Sequence, residues 1–119
     1  ENSGELGRQL EDWMGRSDST GTPRCRAMIA PHAGYSYSGP TAGHAYARLR
    51  EAAPQINRVF ILGPSHHVYL RGCVVSGATI CQTPIENLRV DTVVCDELLA
   101  TGNFESMNPS MDEDEHSIE

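Results

Sequence analysis

The first apolar residues of the chain recur at helical spacing. They lie on one predicted helical face: Leu6, Leu10, Trp13 and Met14. Asn2 and Ser3 come just before this face and are residue types that cap helix N-termini. A run rich in Ser, Asp, Thr, Gly and Pro follows at residues 17–23 and is typical of a loop. We therefore predict a helix within residues 1–16.

Two short, continuous apolar runs follow, at residues 26–30 and 59–62. Each has the length and composition of a buried strand of a parallel sheet. Residues 34–40 are rich in Gly, Ser and Pro and predict a turn, and residues 41–50 carry an apolar face at helical spacing. Strand, helix and strand in this order predict a parallel crossover unit.

The second half of the chain gives weaker signals. Residues 73–76 predict a strand, residues 83–87 a loop, and residues 91–100 a helix that Asp91 caps and Gly102 ends. The polar end, residues 103–119, reads as an acidic tail or as a helix with Glu115, His116 and Glu119 near one face. The predicted fold class is α/β, a partly parallel sheet with flanking helices.

Composition and charge argue against several classes of function. The chain has 119 residues, enough for one domain, and a formal net charge of −7 with no basic stripe, which argues against a nucleic-acid partner. No apolar run approaches the roughly 20 residues of a spanning helix, so we expect no membrane insertion. The sequence shows no positively charged start followed by an apolar core, so we expect no signal peptide. We expect a cytoplasmic protein, with the nucleus as a second compartment.

Histidines follow both predicted strands. His32 comes after the first and His66 and His67 after the second, and the carboxyl ends of parallel strands are where ligand sites form. Imidazole is the commonest metal ligand in proteins. We predict a metal site that includes His32 and His66. Neighbouring side chains in an extended segment point in opposite directions, so at most one of His66 and His67 should face His32, and His66 is closer to the strand end. His67 and His116 are the acid–base candidates.

His32 also has a structural interpretation, as a hydrogen-bonded residue without a ligand. For His44, in the predicted helix, a surface or packing role is the default. A metal site needs a third ligand, which is an acidic residue of this chain or lies outside it. The cysteines contain no CxxC pair, and we expect them to be free and mostly buried thiols: Cys25, Cys73, Cys81 and Cys95.

Three blocks of the sequence resemble a known family. They are IAPHAGYSYSG at residues 29–39, FILGPSHH at 60–67 and DEDEHSIE at 112–119. In order and spacing they are similar to blocks of the Memo family, which is named for mediating cell motility driven by receptor tyrosine kinases. The resemblance extends from about Leu6 to the end of the chain.

The resemblance implies an α/β fold related to class III extradiol dioxygenases and a metal, copper or iron. His32 and His66 match the two histidine ligands of the family. The third ligand in the family is a cysteine far downstream, which has no counterpart here, and a block that precedes Asn2 in the family is also absent. Residues 1–119 then form a single partial domain, which we expect to be inactive alone and to bind metal weakly.

Three functions remain open at this point. The first is a metal-binding signalling protein of the Memo type with copper or iron redox chemistry, whose partners are signalling proteins. The second is a non-haem iron dioxygenase of the extradiol type. The third is a module that binds a receptor phosphopeptide without catalysis, where imidazole and arginine side chains would contact the phosphate.

Overall fold

The computed structural model describes residues 2–17, 25–50 and 52–118 of the chain. The chain divides into two compact units, Glu1–Ile61 and Leu62–Glu119. Apart from Ser17, the predicted loop at residues 17–23 lies outside the described residues. Whether residues 1–119 form one partial domain stays a prediction.

The predicted first helix is confirmed as α1, Ser3–Gly15. Asn2 caps it, since its side-chain oxygen accepts a hydrogen bond from the backbone N–H of Gly4 at 3.0 Å. Leu6 is buried, and Trp13 lies on the side of α1 that contacts the second helix. The helical periodicity of the apolar residues was therefore sufficient to locate this element.

The second helix, α2, spans Tyr35–Arg50 and is longer than predicted. The turn predicted at residues 34–40 is wrong for residues 35–40, because the helix runs through Pro40. The backbone N–H groups of Tyr37 and Ser38 both donate to the carbonyl of Gly34. Gly39 is buried against the ring of Trp13, so the small residues that suggested a turn instead allow α1 and α2 to approach closely.

An ion pair also joins these two helices. The Arg50 guanidinium on α2 donates to the Glu11 carboxylate on α1 at 2.5 Å. Both side chains are more than half exposed, so this pair adds little stability and the close packing against Trp13 matters more. A short 3₁₀ turn, Ala53–Gln55, follows α2.

The two predicted buried strands, residues 26–30 and 59–62, are not strands in the structure. A strand needs a neighbour that accepts and donates its backbone hydrogen bonds, and within the described ranges no ladder includes either run. Their apolar side chains are open to solvent: Ile29 is fully exposed, and residues 59–62 are between 61% and 83% exposed. The predicted crossover unit at residues 26–62 is therefore wrong.

A parallel strand–helix–strand unit lies later in the chain. β1, Cys73–Val75, was predicted and pairs in parallel with β4, Phe104–Ser106, which was not. α3, Thr92–Ala100, lies between them in sequence and packs against both strands. The intervening chain contains an antiparallel pair, β2 at Ile80–Cys81 and β3 at Leu88–Arg89. The α/β fold class with a partly parallel sheet and flanking helices is confirmed.

The predicted ends of α3 are also confirmed. The Asp91 carboxylate accepts a hydrogen bond from the N–H of Val94 at 3.2 Å, as an N-cap does. Gly102 has φ of 74°, a left-handed conformation that favours glycine directly after a helix. Local sequence chemistry therefore defines both ends of this helix.

The end of the chain is neither a tail nor one long helix. After β4 comes a short helix, α4, Pro109–Asp114, and Glu115 is already extended. The predicted helical face of Glu115 and His116 is therefore wrong, and Glu119 lies outside the described residues. The Ser76 hydroxyl beside β1 donates to the Asp112 carboxylate, which attaches α4 to the strand. In the described part of the chain, no helix combines the length and apolarity that a membrane span requires.

Gly43 of α2 offers a test of the packing between α1 and α2. A Cβ atom at this position would lie 2.8 Å from both the Cβ and the carbonyl carbon of Trp13. We expect Gly43→Ala to lower the free energy of unfolding by about 1–3 kcal/mol in urea denaturation, because backbone must move to relieve the overlap. Gly7→Ala on α1, where nothing lies within 4 Å, is the control. It should stabilise the chain by up to about 1 kcal/mol, and equal effects of the two variants would contradict this packing.

Candidate metal centre

In the second unit, one carboxylate holds both the backbone and the ring of a candidate histidine. Glu115 Oε2 accepts a hydrogen bond from the backbone N–H of His66 at 2.7 Å. Glu115 Oε1 lies 2.7 Å from the Nδ1 atom of the same residue. The two residues are 49 positions apart in the sequence. We call this pair of contacts the His66–Glu115 clamp.

The Glu115 carboxylate also accepts hydrogen bonds from the two residues that follow it. Oε1 also accepts hydrogen bonds from the backbone N–H groups of His116 at 3.0 Å and Ser117 at 3.1 Å. A carboxylate has about four lone-pair positions, and these contacts together supply four N–H donors. The Glu115 side chain is only 11% exposed. Oε1 therefore has three N–H partners and Oε2 has one, all supplied by the protein.

These donors hold the pKa of the Glu115 carboxyl well below its usual range. The largest cause is the backbone N–H of His66, followed by the His66 side chain, and partial burial opposes them with a smaller effect. Glu115 is therefore ionised at neutral pH. An ionised carboxylate only accepts hydrogen bonds, so His66 Nδ1 carries the proton of this contact. In the neutral ring, Nε2 is then the nitrogen with the lone pair.

Two further imidazoles surround this position. The ring of His116 stacks on that of His66, with centroids 4.8 Å apart and an interplanar angle of 12°. The ring of His67 meets His116 edge-on at 5.2 Å, and His67 Nε2 lies 3.3 Å from His116 Nδ1. One of these two nitrogens must donate and the other accept.

Chain bending explains why neighbouring histidines approach the same ring. Residues 66–68 form a bend rather than a strand. Our expectation that His66 and His67 point in opposite directions assumed an extended segment and is wrong for this reason. Both rings contact His116.

The structure brings three of the four predicted site residues together, namely His66, His67 and His116. His32 lies exposed in an irregular segment of the first unit, and its joint site with His66 stays a prediction. His44 lies on the exposed side of α2, in keeping with the expected surface role. Glu115 is the site residue that sequence reasoning assigned no role, because no local pattern connects it with His66.

The donor atoms of this cluster suit a transition metal. His66, Glu115 and His116 offer ligand atoms within 4.8 Å of one another. Imidazole nitrogens bind zinc, copper and iron, and Glu115 Oε1 already has three N–H partners, which makes it the poorer donor. Cys25 and Cys95 are half-buried, and Cys73 and Cys81 are exposed free thiols. The predicted free state of the cysteines is confirmed, but their predicted burial is wrong.

Close packing at Gly63 supports the His66–Glu115 clamp. A Cβ atom at Gly63 would lie 2.7 Å from Ser117 Oγ and 2.8 Å from Ile118 Cγ1. Ser117 is only 5% exposed. Glycine at position 63 therefore lets the segment after Glu115 lie directly on the segment that leads to His66.

Comparison with known proteins gives a family. The family model described as "Memo-like protein" matches residues 1–119. The chain is 51% identical over 116 residues to Protein MEMO1 of Homo sapiens and 51% identical over 116 residues to that of Danio rerio. A MEMO1 family protein of Schizosaccharomyces pombe is 48% identical over 95 residues, which is 79% of this chain and 30% of that protein.

The matches cover this chain far more fully than they cover the relatives. The alignment with the human protein includes 97% of this chain but 38% of the relative, and the same shares hold for the zebrafish protein. The chain therefore spans well under half the length of these curated relatives.

Acid titration tests the electrostatics of the clamp. We expect the ¹³C shift of the Glu115 carboxyl carbon to titrate below the ordinary glutamate pKa of about 4.3, because its N–H donors stabilise the ionised form. The clamp's contribution to stability is then complete above the ordinary glutamate pKa, and it is lost as the pH falls through the pKa of Glu115 in the folded chain. In His66→Ala we expect the titration midpoint of Glu115 to return only part of the way to the ordinary glutamate value, because the backbone N–H of residue 66 still donates to the carboxylate. A midpoint in the ordinary range would refute this assignment.

Gly63→Ala tests the packing beneath the clamp. The added methyl group would displace Ser117 and Ile118, so we expect the backbone N–H of His66 to exchange with solvent at least about fivefold faster, the factor that corresponds to 1 kcal/mol. Hydrogen exchange followed by NMR measures this rate. Gly77→Ala, where nothing lies within 4 Å, is the matched control. The same exchange rate in both variants would speak against close packing at Gly63.

Proposed function

Because this chain belongs to the Memo family, we propose that it supplies the histidine ligands of a metal site in a signalling protein that mediates cell motility. The observation that carries the proposal is the His66–Glu115 clamp. It presents one imidazole in a defined orientation, with Nδ1 engaged and Nε2 as the metal-binding atom.

His66 and His32 are the proposed ligands. His66 is supported by the geometry around it, and His32 by its match to a family ligand, as the sequence blocks predicted. The metal is copper or iron, which supplies one-electron redox chemistry at a site of imidazole ligands. A third ligand comes from outside these 119 residues, where the family has a cysteine.

His67 and His116 are the proposed acid–base pair. The 3.3 Å separation of His67 Nε2 and His116 Nδ1 lets one proton be held between the two rings. His116 also stacks on His66, so a proton held by this pair is next to the proposed ligand. The proposed role of the pair is to accept or release a proton beside the metal site.

The proposed partners are signalling proteins that act with receptor tyrosine kinases in the cytoplasm. The net charge of −7 disfavours a phosphopeptide as the main partner, because phosphate adds further negative charge to the complex. Metal-dependent signalling therefore accounts for the chain better than phosphate recognition does.

Metal titration tests the ligand assignment. We expect Cu(I), titrated into the 119-residue chain in competition with a chromophoric chelator, to bind at least about tenfold more weakly to His66→Ala, because loss of a ligand should cost no less than loss of the residue behind it. His32→Ala should also weaken binding. His44→Ala is the matched control and should leave the affinity unchanged. Unchanged affinity in both His66→Ala and His32→Ala would disprove the assignment.

A further inference from the structure

We propose that Glu115 is the positioning residue of His66: its carboxylate fixes the Nδ1–H tautomer and the ring orientation of His66, so that Nε2 binds the metal. The consequence for metal binding rests on the proposed function, whereas the tautomer and ring orientation of His66 depend only on these two residues. It gives a role to a carboxylate that the ligand assignment does not use.

The first argument is the two-point contact. Glu115 contacts both the main-chain nitrogen and the ring Nδ1 of His66, each at 2.7 Å. Contact with the backbone fixes the carboxylate relative to the His66 Cα atom, and contact with the ring restricts rotation of the imidazole. A carboxylate that served only as a surface ion-pair partner would not need the backbone contact. The geometry is that of a carboxylate–histidine pair behind a metal ligand.

The second argument separates positioning from metal ligation. His66 Nδ1 and Glu115 Oε1 are 2.7 Å apart. With the proton on Nδ1 that an ionised carboxylate partner requires, these two atoms cannot bind one metal ion together. Oε1 also accepts two backbone N–H groups, and Oε2 is used by His66 N. Metal ligation through Oε1 would break contacts that now order residues 115–117. Glu115 therefore acts through His66.

The third argument is that Glu115 is itself held in place. It follows directly after α4, which ends at Asp114. α4 is attached to the β1 end through the hydrogen bond from Ser76 to Asp112, and Ser117 is buried against Gly63. Supports on both sides of Glu115 limit its movement. A positioning group needs such support, because a loose one would not restrict its partner.

The tautomer of His66 is the direct test. Long-range ¹H–¹⁵N correlation spectra of the metal-free chain, at about pH 8 and thus above the ordinary histidine range, distinguish Nδ1–H from Nε2–H. We expect Nδ1–H in the unchanged chain. In Glu115→Gln we expect loss of this preference, because the amide nitrogen of glutamine donates and cannot replace the second acceptor oxygen.

Glu113→Gln is the matched control. It removes the same charge from an exposed position on α4, two residues away. We expect it to keep the Nδ1–H tautomer. If Glu115→Gln fails to fold, the spectrum of the unchanged chain still decides, since Nε2–H as its main tautomer would overturn the proposal.

Metal affinity separates this inference from the proposed function. We expect Glu115→Gln to weaken Cu(I) binding by about 10–100-fold, the range for loss of a group behind a ligand, and Glu113→Gln to leave it unchanged. Loss of the tautomer preference in Glu115→Gln, with neither Cu(I) nor Fe(II) bound by the unchanged chain, would support positioning and overturn the proposed function. Equal Cu(I) affinity in the unchanged chain and Glu115→Gln would overturn the positioning role.

Discussion

The organisation of the second unit's site depends on the hydrogen bonds of one carboxylate. Glu115 joins the segment after α4 to the bend at His66, and its four N–H donors come from that bend and from its own turn. Ionisation and geometry support each other here, because the donors favour the charged form and the charged form accepts from all of them. The stacking of His116 on His66 follows from the same short turn.

Backbone hydrogen bonding explains the less regular regions as well. Residues 26–30 and 59–62 have the composition of central strands but form no ladder among the described residues, and their apolar side chains are largely exposed. An apolar run becomes a strand only when another strand lies beside it. The relatives are much longer than this chain, with 38% of the human protein covered by the match.

Glycine has two different roles in the molecule. At Gly102 it allows a backbone conformation with φ of 74° after α3. At Gly43 and Gly63 it instead leaves room for another segment, Trp13 in one unit and residues 117–118 in the other. Both close approaches bring together residues distant in sequence. A substitution at either position would therefore change tertiary contacts more than local conformation.

The sequence by itself determined α1, the ends of α3, strand β1, the α/β class and the family, because caps, periodicity and uncommon blocks are local signals. It also pointed to His66, His67 and His116 as site residues. Only the tertiary structure decided that α2 begins at Tyr35 against Trp13, that β4 rather than residues 26–30 forms a parallel strand, and that Glu115 holds His66. These features depend on partners far away in the chain, and such partners leave no pattern in a local stretch of sequence.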